Sequence, residues 1–166
     1  MPIKNQLRKL DIDFDYYSKK YPSLNGRIIQ GICAFVVYFS ILGLCWALPF
    51  PYLHFLGQYN SYFNWASFII AFSIYYYSNL SPLLSYLMLF LALVFTYLIS
   101  IIEKQINNNM QMGELFSMIL LLALIIHHFS YKNIAKNNLP KTLLNFVLIG
   151  PIWTLSFLVK KFKINY

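Results

Sequence analysis

The sequence predicts an all-α membrane protein, a polytopic helical bundle that forms a single domain of residues 1–166. Of its residues 59% are hydrophobic and 11% are charged, and the apolar residues form five long runs with most lysines and arginines between or beyond them. Soluble domains carry roughly 45–50% apolar and about 25% charged residues, so water would be a poor solvent for this chain. We therefore interpret the basic residues as topology signals that contact lipid headgroups, and we expect no nucleic-acid binding.

The N-terminal region, residues 1–27, predicts an amphipathic helix rather than a membrane span. Its apolar and aromatic residues recur at steps of three and four, which places them on one helical face. Such a helix lies either in the headgroup layer or against the inner surface of the bundle, and the sequence leaves both open. Six lysines and arginines up to Arg27 predict that this region is cytoplasmic.

Four hydrophobic segments predict membrane spans, at residues 28–48, 63–77, 82–102 and 114–129. A bilayer crossing needs roughly 20 residues, which the first and third segments provide and the second does not. The second and third segments are joined by a very short connection that ends at Pro82, so we expect them to form a tight antiparallel hairpin. Residues 103–113 are polar and predict the most exposed loop.

The last apolar run, residues 142–159, carries Gly150 and Pro151 at its centre and predicts a kinked or re-entrant segment. A fifth full crossing would place the C-terminal lysines outside, whereas a segment that turns back keeps them on the cytoplasmic side. We expect four spans plus this broken fifth segment, and the alternative is five full spans. The protein would then be multi-pass with a cytoplasmic N-terminus, in a bacterial inner membrane or in the endoplasmic reticulum.

Two adjacent histidines, His127 and His128, end the fourth span and are the candidate metal ligands. Neighbouring helical residues point about 100° apart, so at least one of the two faces the bundle or the inner water boundary. The predicted topology brings them near Asn25 and Gln30, the candidate polar residues of a lipid pocket. The competing interpretation is that they bond to loop backbone or to lipid phosphate. The catalytic residues are unknown, and the uncharged middle of every span argues against a proton-coupled transporter.

The order of the segments resembles that of the Mpo-type 2-hydroxy fatty acid dioxygenases, a family of small multi-span membrane proteins. The likeness covers nearly the whole chain: an aromatic N-terminal segment before a Pro/Asn turn, a span, a close hairpin, a span that ends in histidine, and a closing apolar run. The residues that carry it are Phe14, Tyr16, Tyr17, Pro22, Asn25, His128, Gly150, Pro151, Ile152 and Trp153. The resemblance implies an enzyme that binds Fe(II) through histidines and shortens long-chain 2-hydroxy fatty acids by one carbon with dioxygen.

The chain also departs from that family in its ligand positions. Lys19, Lys20 and Gln30 stand where the family has histidines, and Tyr131 and Lys132 stand in place of an acidic residue. One candidate iron ligand carries over: His128, or His127 if the alignment shifts by one residue. The resemblance therefore implies a divergent or inactive member that acts on or binds a long-chain lipid at the cytoplasmic leaflet.

The alternative comes from a different functional class. The chain would be a non-enzymatic scaffold or assembly subunit, whose many Phe and Tyr side chains pack against a partner protein or against a second copy of the chain. Stoichiometric iron in the purified protein would favour the enzyme, and a metal-free protein that co-purifies with a partner would favour the scaffold.

Overall fold

The computed structural model describes residues 14–15, 18–19, 21, 23–54, 57, 63–106, 108–131 and 139–161. Within these ranges the chain forms five α-helices and no strand, which confirms the predicted all-α class. The helices are α1 Leu24–Ala47, α2 Trp65–Ser78, α3 Pro82–Gln105, α4 Asn109–Tyr131 and α5 Leu139–Lys161.

Three of the described helices are long and apolar enough to cross a membrane: α1, α3 and the Met110–Ser130 part of α4. A helix of 24 residues, the length of α1 and of α3, is about 36 Å long, against a hydrocarbon core of about 30 Å. The 14 residues of α2 span about 21 Å. These lengths indicate a membrane protein with three candidate crossing helices. The second predicted span, residues 63–77, lies mainly in the shorter α2, and its crossing stays a prediction.

The outward faces of the described helices carry large apolar side chains, as expected where lipid is the solvent. Phe72 on α2 is 70% exposed, and Phe90 on α3 and Leu121 on α4 are also exposed. Soluble monomers rarely expose contiguous apolar surface on this scale. The buried core is correspondingly built from residues where the helices face one another, such as Leu42 and Met88.

Side-chain caps and prolines set the ends of the first helices. The Ser23 hydroxyl accepts a hydrogen bond from the backbone N–H of Gly26 (3.2 Å), which satisfies one free donor at the start of α1. Asn64 and Ser67 form a reciprocal capping box at the start of α2. The indole Nε1 of Trp65 donates to the carbonyl of Pro49 (3.1 Å), so the start of α2 is bonded next to the end of α1.

The loop predicted at residues 103–113 is much shorter in the structure. Helix α3 continues to Gln105 and α4 begins at Asn109, so three residues connect them. The side chain of Asn108 accepts the backbone N–H of Met110 (3.0 Å) and helps start α4. Polar residues can extend both helices because the outer turns of a 23–24-residue helix reach beyond the hydrocarbon core.

The predicted N-terminal amphipathic helix lies mostly outside the described residues. Phe14, Asp15, Ser18 and Lys19 are helical, Phe14 is buried, and Lys19 forms an exposed ion pair with Asp15 (2.5 Å). Phe14 belongs to the buried core of the bundle. At this position the chain packs on the protein, which is one of the two arrangements that the sequence left open.

Helix α1 is the centre of the bundle and packs most extensively against α4. The two helices are antiparallel. A Cβ atom at Gly113, near the start of α4, would lie 3.9 Å from the Cβ of Ala47, at the end of α1. Near the other end, Gln30 of α1 is hydrogen-bonded to His127 of α4.

Helix α5 also runs antiparallel to α1. A Cβ at Gly31 would meet Thr154, and the Arg27 guanidinium lies 5.9 Å from the ring centroid of Phe157. The start of α1 and the ends of α4 and α5 therefore lie together. We call this part of the bundle the histidine end and define it by Arg27, Gln30, His127 and Phe157.

The helix α5 contains Gly150 and Pro151 in its interior and continues beyond them. The Thr154 hydroxyl donates to the carbonyl of Gly150 (2.8 Å) within this part of the helix. A proline inside a helix removes one backbone hydrogen bond and commonly bends the helix. The kinked or re-entrant path of this segment stays a prediction.

Candidate functional site

The most deeply buried polar pair among the described residues joins α1 to α4 at the histidine end. Gln30 is 1% exposed and His127 is 4% exposed. The Nδ1 atom of His127 lies 2.9 Å from Nε2 and 3.1 Å from Oε1 of Gln30. In one tautomer the Gln30 amide donates to Nδ1, and in the other Nδ1–H donates to the amide oxygen. The pair thus satisfies two polar groups that would otherwise be costly to bury.

An aromatic ring from α5 covers the imidazole. Phe146 is fully buried, and its ring stacks on His127 with a centroid distance of 3.9 Å and an interplanar angle of 15°. Three helices therefore meet at this histidine. The stacking and the amide contact together fix the orientation of the imidazole.

The other two site residues predicted from the sequence lie outside this buried cluster. His128 is exposed and its ring lies 6.3 Å from that of Phe129, while Asn25 is exposed in the first turn of α1. The structure thus brings Gln30 and His127 together and leaves His128 and Asn25 outside their pocket. Within the described residues no group of three or more His, Cys, Asp or Glu side chains could hold a metal ion. The metal role of His127 and His128 remains a prediction.

A second cluster at the histidine end holds the N-terminal segment, and sequence reasoning missed it. The Arg27 guanidinium donates from Nε to the carbonyl of Tyr21 (2.7 Å) and from Nη2 to the carbonyl of Ser18 (3.5 Å). The indole Nε1 of Trp153 donates to the Ser18 hydroxyl (3.5 Å), and the Trp153 and Tyr21 rings lie 6.2 Å apart. One feature of the sequence could have indicated this cluster, since Arg27 is the last cation before a long apolar run.

An apolar groove lies farther along the bundle, between α1, α2 and α5, and was also missed. Its volume is about 580 Å³. It opens beside Ala71 and Phe72, both exposed on α2. The lining is almost wholly hydrocarbon and includes Tyr38, Ile41, Phe68, Ile69, Val147 and Leu148. Ligand pockets commonly have volumes of about 300–1,000 Å³ and apolar walls.

Hydroxyl groups lie at one side of this groove. Tyr38 and Ser73 both line the groove, and the Tyr77 hydroxyl donates to the backbone carbonyl of Leu148 (2.7 Å). Ser73 and Tyr77 are four residues apart on α2, so they lie on the same helical face. This spacing could have indicated the inner face of α2 from the sequence alone.

Comparisons with known proteins give no relative from which a function could be transferred. No protein-family model, no curated protein and no solved structure matches the chain. The resemblance to the dioxygenases therefore rests on the order of the sequence segments and stays a prediction. What the protein binds has to be inferred from its own side chains.

Proposed function

We propose that this protein is a multi-pass integral membrane protein with a cytoplasmic N-terminus, which binds a long-chain lipid in the groove between α1, α2 and α5. The observation that carries the proposal is the groove itself. Its lining is almost wholly apolar, it opens on the outward face of α2, and its volume of about 580 Å³ lies in the range of ligand pockets. In a bilayer such a groove is filled by hydrocarbon chains, and its shape selects among them.

The position of the groove fits the far end of an acyl chain. Tyr38 lies 11 residues beyond Arg27 on α1, which is about 17 Å along the helix. Half of the hydrocarbon core is about 15 Å thick. A lipid whose headgroup lies at the histidine end would therefore bring the distal part of its chain to the groove.

The proposed orientation rests on the positions of the helix ends together with the positive-inside rule. The last residues of α5, Lys160 and Lys161, lie at the histidine end with Arg27, so the C-terminal lysines and the basic N-terminal region would share the cytoplasmic side. This favours four spans plus a fifth segment that turns back, with α2 and α3 forming the inner hairpin. Reporter fusions after residue 107 and after residue 166 should report opposite sides of the membrane.

The geometry supports lipid binding more than lipid oxidation. Non-haem iron oxygenases use several protein ligands, often two histidines and a carboxylate. Here His127 is buried with its Nδ1 atom hydrogen-bonded to Gln30, and His128 is exposed outside this cluster. The Fe(II)-dependent oxidation of 2-hydroxy fatty acids implied by the resemblance remains a separate prediction.

A photoactivatable fatty acid tests the binding proposal. A diazirine-labelled long-chain fatty acid is irradiated with the full chain in liposomes, and the labelled residues are mapped by mass spectrometry. We expect labelling to concentrate near Phe68, Phe72 and Leu148. The variant Ala71→Trp, which narrows the groove, should reduce this labelling, whereas Leu93→Trp on the exposed face of α3 should not. Labelling spread evenly over all exposed apolar faces would contradict the proposal.

Repeating the experiment with a 2-hydroxy fatty acid and measuring iron separates the enzyme from the binding protein. An enzyme would contain stoichiometric iron, lose it in the His127→Ala/His128→Ala double variant, and shorten the labelled acid by one carbon. If instead the protein is labelled in the groove, contains no iron and leaves the acid unchanged, it binds the lipid without oxidising it.

One observation favours a second candidate, the scaffold or assembly subunit. Helix α3 presents a stripe of large exposed side chains on one face, formed by Tyr86, Phe90, Leu93 and Tyr97. These residues follow the spacing of four, three and four that lines one side of a helix. Purification in a mild detergent, followed by crosslinking from position 90, tests for a protein partner or a second copy of this chain at that face.

A further inference from the structure

Three side chains with hydroxyl groups lie in the otherwise apolar wall of the groove between α1, α2 and α5. They are Tyr38, Ser73 and Tyr77, which are 3%, 7% and 1% exposed. Tyr38 lies 11 residues beyond Arg27 on α1, about 17 Å along the helix, which is near the middle of a hydrocarbon core about 30 Å thick. Polar side chains at this depth are costly to bury and commonly mark a functional site.

Other buried hydroxyl groups of these helices are bonded to the backbone. The Ser40 and Ser85 hydroxyls each donate to a helix carbonyl, and the Tyr77 hydroxyl donates to the backbone of α5. Within the described residues, Tyr38 and Ser73 make no such bond to a backbone carbonyl. Their hydroxyls line the groove, where a ligand with a polar group can form hydrogen bonds with them.

We propose that the groove is specific for a long-chain fatty acid with a hydroxyl group near the middle of its chain, and that Tyr38 and Ser73 form hydrogen bonds with that group. Among lipid tails such a hydroxyl lacks a partner, which costs free energy. In the groove it both donates and accepts. An unsubstituted chain fills the same apolar space without this gain. The inference rests on the proposed function of the groove and adds the chemical class of its ligand.

Competition between two matched fatty acids tests this specificity. Ricinoleic acid and oleic acid have the same chain length and the same double bond, but only ricinoleic acid carries a hydroxyl group inside the chain. Each acid displaces the diazirine-labelled fatty acid from the full chain in liposomes, and labelling of the groove is measured by mass spectrometry. We expect ricinoleic acid to displace the label at about one tenth of the membrane concentration that oleic acid needs, the effect of one good hydrogen bond in lipid.

Removal of the two hydroxyls should abolish the preference and leave the groove intact. In Tyr38→Phe/Ser73→Ala, both acids should displace the label at the concentration that oleic acid needs in the wild type. The matched control Tyr75→Phe/Ser78→Ala removes the same atoms from exposed positions of α2 and should keep the wild-type preference. Tyr38→Phe alone should lower the preference to about threefold, and it carries the test if the double variant does not fold.

Equal displacement by the two acids in the wild type would overturn the proposal, as would an undiminished preference in Tyr38→Phe. An oleic acid hydroxylated beside its carboxyl group should compete no better than oleic acid. If it matches ricinoleic acid, the protein recognises a hydroxyl near the headgroup and the proposal is wrong. Labelling spread over all exposed apolar faces contradicts lipid binding in the groove, whereas labelling confined to the groove without a preference contradicts only the contact with the internal hydroxyl.

Discussion

Two glycines in the interface between α1 and α4 provide a matched pair for testing the packing of the bundle. A Cβ added at Gly43 would lie 2.3–2.5 Å from three ring carbons of Phe116, which is fully buried. A Cβ added at Gly113 would lie 3.9 Å from the Cβ of Ala47, an ordinary contact. Gly43→Ala and Gly113→Ala therefore make the same chemical change on facing helices, but only the first creates a clash.

The expected magnitude follows from the size of the overlap. Carbon atoms in contact are normally about 3.5–4.0 Å apart, so Gly43→Ala overlaps the Phe116 ring by more than about 1 Å. Such overpacking typically costs about 1–3 kcal/mol, and we expect a value near the upper limit because the overlapped atoms include the base of a buried ring. Both variants gain up to about 1 kcal/mol of helix propensity. Their difference cancels that shared gain and should be about 2–3 kcal/mol.

Unfolding in mixed detergent micelles measures this difference. The dodecyl sulfate fraction is raised stepwise, and unfolding is followed by the fluorescence of the chain's tryptophans. We expect Gly43→Ala to unfold at a lower dodecyl sulfate fraction than the wild type and Gly113→Ala to match or exceed it. Phe116→Leu added to Gly43→Ala should recover part of the lost stability, because it replaces the ring that the new methyl group meets with a smaller side chain. Equal stability of the two single variants would refute the proposed packing of α1 on α4.

Three further predictions use the same unfolding assay. Gln30→Leu removes the bond to Nδ1 of His127 and should destabilise by about 1–2 kcal/mol, within the range found for polar pairs between membrane helices; a stable variant would mean that the pair is not buried. Asn64→Ala removes the capping box of α2 and should lower the free energy of unfolding by about 1 kcal/mol. Its control, Ser81→Ala, should be neutral, since the Ser81 hydroxyl makes no hydrogen bond to the described residues. Equal losses in the two variants would contradict the capping role of Asn64. Tyr77→Phe removes the bond to the α5 backbone and should cost about 0.5–1.5 kcal/mol, with no loss expected if α5 packs elsewhere.

The sequence was sufficient to predict that the long apolar runs are helical, because a long uncharged segment in a membrane must satisfy its backbone hydrogen bonds within itself. The ends of the helices were harder to predict from the sequence. Glu103 and Asn109 were predicted to lie in a loop, and both lie in helices. Polarity marks where the chain leaves the hydrocarbon, but helices extend past that boundary into water. The sequence predicted four spans plus a broken fifth segment. Three of the described helices are long and apolar enough to cross a membrane, and the crossing of the shorter α2 stays a prediction.

The site was predictable where topology alone placed residues and unpredictable where side-chain direction mattered. Gln30 lies near the start of α1 and His127 near the end of α4. Because the two helices are antiparallel, the order of the crossings brings these residues to the same end of the bundle. Which of the two adjacent histidines faces inward depends on the rotation of α4 about its axis. The groove depends on the packing of α2 and α5 against α1, which no local pattern encodes.

The rotation and register of α1 against α4 are set by two contacts that lie about 20 Å apart along α1, at Gln30 and at Gly43. Both helices are apolar on nearly every face, so burial alone would allow them to slide or rotate at little cost. A slip of one turn, about 5.4 Å, would separate Gln30 from His127 and move the Phe116 ring off the glycine that accommodates it. In lipid, where apolar side chains gain little by leaving the solvent, a buried hydrogen bond and a close-packed glycine therefore determine the arrangement. The groove inherits its shape from this fixed α1, since Tyr38 and Ile41 lie between the two contacts.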